Sequence, residues 1–195
     1  MVGLLIGFAV AAVFGVVIGM LMGRYKKLEM ALDSVVNAAY VTPHVAFIPI
    51  IILWFGLGLE AKIFIVSTSA IFPVLINTQS GVRDVSKLLV EVGEAFVANP
   101  RQIFFKIVIP ASLPFIMAGL RLAIGRALTS VIVADFFTAM TGLGGVILQA
   151  STLLRVSNML AAVLVVMIVG VSLTELVKFG EARFAPWKET ERATR

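Results

Sequence analysis

Residues 2–22, VGLLIGFAVAAVFGVVIGMLM, contain no charged side chain. A helix needs about 20 mostly apolar residues to cross a bilayer, so this segment reads as a membrane span. A cleavable leader would start with basic residues and have a shorter apolar core, which excludes that reading. Gly3, Gly7, Ala11, Gly15, Gly19 and Gly23 recur every four residues and therefore lie along one helical face. Small residues let a second helix approach closely where lipid supplies no hydrophobic drive. The stripe is expected to pack a helix of the same subunit, with a subunit–subunit contact as the other reading.

The rest of the chain agrees. Of its 195 residues 60% are apolar and 14% charged, and the mean hydropathy is +1.06. A soluble domain is closer to 45–50% apolar and about 25% charged, and a disordered chain has far less Val, Ile, Leu and Phe. Four further stretches are long or apolar enough to cross: about Val35–Phe55, about Ile63–Ile76 with an extension toward Gly81, Pro110 to about Phe137, and about Met159–Phe179. The fold class is therefore all-α, a polytopic bundle of about five spans. With zero cysteines and one histidine, disulfides, thiolate metal sites, a Cys nucleophile and a His-based triad are excluded.

The net charge of +5 is a topology signal, not a sign of nucleic-acid binding. Arg24, Lys26, Lys27, Arg83, Lys87, Arg101, Lys106, Lys178, Arg183, Lys188, Arg192 and Arg195 fall between spans on one side; Lys62 and Arg155 fall on the other. The positive-inside rule places the first set in the cytoplasm, and with it the C-terminus and the 84–109 loop. Met1 is then outside with nothing basic before it. Either the first helix inserts backwards or this sequence lacks a further N-terminal span, and the missing span is the preferred expectation.

The stretch GVRDVSKLLVEVGEAFVANPRQIFFKIVIPASLP, residues 81–114, is too polar to cross and too apolar for a plain linker. From Asp84, Val85, Leu88, Leu89, Val92 and Phe96 fall at helical spacing, with Lys87, Glu91 and Glu94 opposite. Asn99, Pro100 and Gln102 supply a cap, a first-position proline and a third-position glutamine. The loop thus reads as two short helices joined by a turn at Val97–Asn99. Such a knob suits a helix-in-groove contact with a partner or a position flat on the headgroups.

At this point the chain resembles the permease subunits of ABC importers. Glu91-Val92-Gly93, Val97 six residues after the Glu, and Ile107-Val108-Ile109-Pro110 stand in the register of that family's cytoplasmic motif, E-A-A, three residues, G, nine residues, I, one residue, L, P. GFAVAAVFGVVIGMLMG, TPHVAFIPIIILWFGLG, FPVLINTQSGVRDV, LPFIMAGLRLAIGRAL, GLGGVI and a closing APW look like its nitrate/sulfonate/taurine-type branch. The resemblance implies a permease domain over 1–187, incomplete at its N-terminus, with a polar cytoplasmic tail at 188–195. It also implies a plasma-membrane location, a second permease copy, an external substrate-binding protein and a separate ATP-binding subunit. ATP and Mg would act in that subunit; no cofactor or catalytic residue is expected here. Leu88, Leu89, Glu91, Val92, Gly93, Phe96, Val97 and Ala98 would form the ATPase-docking face. Val97 replaces the family's turn-making Gly, and a β-branched residue is poor at positive φ, so the turn is expected to shift to Asn99-Pro100.

Three charges lie within the fourth span: Arg121, Arg126 and Asp135. Each costs at least ~2.5–3.5 kcal/mol at depth unless it faces protein or water. Arg121, roughly 16 Å above Pro110 by helical rise, is expected near the midplane. One arginine could face the pathway, suiting an anionic cargo, or both could be tied within the protein. Asp135 stands where the branch usually has Glu. His44 reads as a packed side chain, and Pro43 and Pro49 predict a kink in the second span. Gly142–Gly145 lacks the Lys-Ser/Thr of a phosphate loop and reads as an outer turn or short re-entrant segment. An ion-coupled secondary transporter or channel is the alternative function; sparse intramembrane carboxylates count against it.

Overall fold

A computed structural model describes residues 1–138 and 142–184. The described residues are helical apart from short connections. In chain order they form α1 (Val2–Arg24), α2 (Lys26–Val41), a 3-10 turn (His44–Phe47), α3 (Ile48–Phe55), α4 (Leu59–Arg83) and α5 (Lys87–Ala95). α6 (Pro100–Ile103), a π-helical turn (Phe104–Val108), α7 (Ile109–Phe137), α8 (Gly142–Thr152) and α9 (Val156–Phe184) follow.

The centre of the bundle is the pair α1 and α4, and the glycine stripe makes it. A Cβ on Gly7 would lie 2.7 Å from Val66 Cβ, one on Gly15 2.8 Å from Val74 Cβ, and one on Gly23 2.6 Å from Val82 Cβ. Gly3 meets Lys62 and Gly19 meets Thr78 in the same way, and Ala11 is fully buried among Val66, Ala70 and Val74. Each pair is separated by the same 59 positions, so the two helices run parallel. The stripe thus packs within the subunit.

Parallel α1 and α4 require the chain to cross once between them. α2 and α3 make that crossing, bent by 83° where Pro43 and the 3-10 turn interrupt the helix. The pair climbs along α4: Glu29 and Asp33 meet Gln79, Val36 packs on Leu75, His44 lies against Phe72, and Ile48 and Ile51 pack on Ala61 and Ile65. From Arg83 to Ala61 that is about 33 Å of helical rise, a full bilayer core. The kink expected from the two prolines is therefore real, and the span counts as one. α2 also starts nine residues before the expected Val35.

The third span is longer than its apolar stretch, because polar Ser67, Ser69, Asn77 and Thr68 satisfy their side chains on α4's own or α1's carbonyls. α7 runs antiparallel to α4, with Gly81 against Phe115 at one end and Lys62 against Asp135 at the other. α9 runs antiparallel to α7, with Leu128 against Gly170 and Arg121 against Glu181. The five crossings expected from sequence are present. Gly142–Gly145 opens α8, an eleven-residue helix too short to cross. α8 ends with Leu154 at φ 53°, where the Arg155 N–H turns back to the Ala150 carbonyl. The expected 188–195 tail lies outside the described residues.

Candidate functional site

At the end of the bundle that carries Arg24, Arg83 and Arg101, α5 stands against the start of the α6–α7 helix. The expected two short helices are both there, but the second does not stop at Pro110. Asn99 caps it as predicted: its side chain accepts from the Gln102 N–H (2.9 Å), and Gln102 Oε1 accepts from the Asn99 N–H (2.9 Å). From there the helix continues through the π turn into α7, one rod of 38 residues. A displacement of α6 is consequently a displacement of the span itself.

The turn between α5 and α6 corrects the expectation for Val97. The turn does not shift to Asn99-Pro100; Val97 itself adopts φ 56°. It donates to the Glu94 carbonyl (2.8 Å) while the Ala98 N–H donates to the Gly93 carbonyl (3.1 Å). This is the Schellman closure of a helix, with valine in the left-handed place that favours glycine. The conformation costs about 1–2 kcal/mol for an L side chain. Packing on either side overrides that cost: Ala98 joins Val82, Ile103 and Val108, and a Cβ on Gly93 would lie 2.6 Å from Ile107 Cδ1.

Of the eight residues read as a docking face, Gly93 and Ala98 therefore turn inward. Leu88, Leu89, Glu91, Val92, Phe96 and Val97 remain on the outside, with Phe96 83% and Val97 90% exposed. Arg24, at the end of α1, straps the corner down. Its guanidinium lies 4.7 Å from the Phe104 ring centroid and donates to the Pro100 carbonyl (3.5 Å).

The intramembrane charges separate into paired and unpaired. Asp135 accepts from Lys62 Nζ (2.6 Å) and from the Gly144 N–H (3.2 Å), and both side chains are largely buried. One carboxylate thus ties together the start of α4, the end of α7 and the start of α8. Arg121 donates to Glu181 Oε2 on α9 (2.6 Å). Gly81 opposite Phe115 and Lys62 opposite Asp135 set the levels of α7 against α4. Arg121 is then about level with Leu75, and Arg126 with Ala70–Ile71, the middle of α4. Arg126, rather than Arg121, is the residue at mid-depth. Its guanidinium lies 5.2 Å from the Tyr40 ring centroid, and among the described residues no carboxylate is within ion-pair distance of it. His44 rests on Phe72, ring centroids 5.3 Å apart.

The family model described as binding-protein-dependent transport system inner membrane component matches residues 15–187. The chain belongs to that family. It is a permease of the ABC importer type. The aliphatic sulfonates transport permease named SsuC of Bacillus subtilis is 32% identical over 95% of this chain and 67% of its own. The nitrate import permease protein NrtB of Synechocystis is 31% identical over 93% of this chain and 66% of its own. The chain thus spans about two thirds of the length of these relatives. A chain of the inward-facing MetNI methionine ABC transporter has the same fold, with TM-score 0.70 at 22% identity over 94% of this chain and 93% of that one. The family implies a membrane location, an ATPase partner and a substrate-binding partner.

Lys62 and Glu181 are the partners that sequence reading did not assign. Lys62 opens one span and Asp135 closes the next; in an antiparallel pair these positions are level, and that was the available signal. Glu181 lay beyond the expected end of the last span at Phe179.

Proposed function

We propose that this permease carries a small anion inward across the plasma membrane, and that α5 receives the stroke of a separate ATPase. The basic end of the bundle then faces the cytoplasm, as the positive-inside rule requires. ATP and Mg²⁺ act in the ATPase, and a second permease copy completes the path. The observation that carries the coupling half is the exposed apolar stripe Leu88, Leu89, Val92 and Phe96 on a helix fixed to a span. Such a surface is the inserting half of a helix-in-groove contact, and the continuous α6–α7 rod transmits its displacement into the membrane. The sulfonate and nitrate names of the relatives support an anionic cargo. Asp135 and Glu181 are each bonded to a cation, which leaves the ion-coupled reading without a free carboxylate at these two positions.

Glu91, beside the stripe, is expected to meet a basic group of the ATPase. Glu91→Arg should reduce co-purification of the ATPase at least about tenfold, as loss of a partly buried charge contact does, with membrane insertion unchanged. Unchanged ATPase recovery and unchanged uptake would remove Glu91 from the docking contact.

A further inference from the structure

We infer that Arg126, held against the Tyr40 ring at mid-depth, is a transient binding station for a small oxyanion on the translocation path. The inference rests on the anion-carrying function proposed above and names where the cargo is met. Three observations support a water-filled route at this point. The exposed residues of α1 from Leu5 to Leu21 and of α9 from Leu160 to Val171 are all apolar, as lipid contact demands. Between Leu122 and Phe137, by contrast, the outward residues of α7 are Gly125, Arg126 and Thr129. A guanidinium at the middle of the bundle is tolerated only where it meets protein or water.

The second observation is the break at Thr42–Phe47. Non-helical backbone at membrane depth persists only inside protein or along a water-lined cavity. This break seats His44 on Phe72 of α4, about level with Arg126 on α7. The third is the kind of support Arg126 receives. Tyr40 holds the guanidinium through its ring face and takes none of its N–H donors. Those donors form a planar fork suited to two oxygens of one anion. Gly125 next to it has nothing within 4 Å of where a Cβ would lie, so the approach is open. Arg121, about one and a half turns away on α7, already donates to Glu181 Oε2 and is not such a site.

The test uses the assembled transporter, with its ATPase and binding protein, in proteoliposomes, and follows uptake of nitrate, methanesulfonate and bicarbonate, with a neutral amino acid as control. If the wild type carries one of these anions, Arg126→Gln should lower its uptake about tenfold or more, while the ATPase stays bound and the protein retains its melting temperature. Arg126→Lys should restore part of the rate with an altered preference among the three anions, and Tyr40→Leu, which removes the ring under the guanidinium, should also lower uptake. A purely structural arginine would not change anion preference on replacement by lysine. Anion uptake that is unchanged in Arg126→Gln overturns the station and leaves the anion-carrying function standing. Wild-type uptake of the neutral solute alone overturns both.

Discussion

Asp135→Ala is expected to destabilise the bundle by about 3–5 kcal/mol, because it removes one member of a largely buried ion pair. The loss has two parts. Lys62 forfeits a 2.6 Å charged hydrogen bond, and the Gly144 N–H at the start of α8 loses its acceptor. Removing both charges together is a different experiment. In Lys62→Met with Asp135→Leu the apolar pair fills the same space with no uncompensated ion, and most of the lost stability should return. Thermal unfolding in detergent of the two single variants and the double reads the coupling directly. If the three lie within about 1 kcal/mol of wild type, the ion pair does not hold α4 to α7.

Gly15→Leu should cost about 3 kcal/mol or more, at the upper end for overpacking. Even the first added carbon would sit 2.8 Å from Val74 Cβ and 3.0 Å from the Ile71 carbonyl oxygen. Backbone cannot move aside as a side chain can, so α1 and α4 must separate and the contacts above and below Gly15 open with them. Val13→Leu, two residues away on an exposed face, should leave the melting temperature within a degree or two. Equal effects at the two positions would mean that α1 has no fixed partner.

The spans and their order were legible because apolar length, Pro43 with Pro49, and four-residue glycine spacing are local signals with direct physical meanings. The helix cap at Asn99 was legible for the same reason. Val97 was not. Its left-handed φ opposes its own preference and is imposed by Ala98 and Gly93, which pack against α6, the π turn and the α4 end. The pairing of Arg121 with Glu181 and of Asp135 with Lys62 also depended on which heights of different helices coincide, and spacing within one helix holds no information on that. Likewise the seam between α6 and α7 has no break: Pro110 lies inside one continuous helix, directly after the π-helical turn Phe104–Val108, the kind of local adjustment that accommodates a proline's missing N–H. Of the eight residues expected to dock, six lie exposed on α5 and its turn, while Gly93 and Ala98 turn inward, where small residues permit close packing.

The absence of cysteine makes the central claim open to one clean measurement. Val97→Cys places a single thiol on the exposed tip beyond α5, and a short thiol-to-amine cross-linker is applied to membranes that contain the whole transporter. The adduct should join this chain to its ATP-binding subunit, identified by mass spectrometry of the linked peptides. An adduct with the external substrate-binding protein, or none with the ATPase present, would contradict the assignment of α5 as the point where ATP-driven motion enters the membrane.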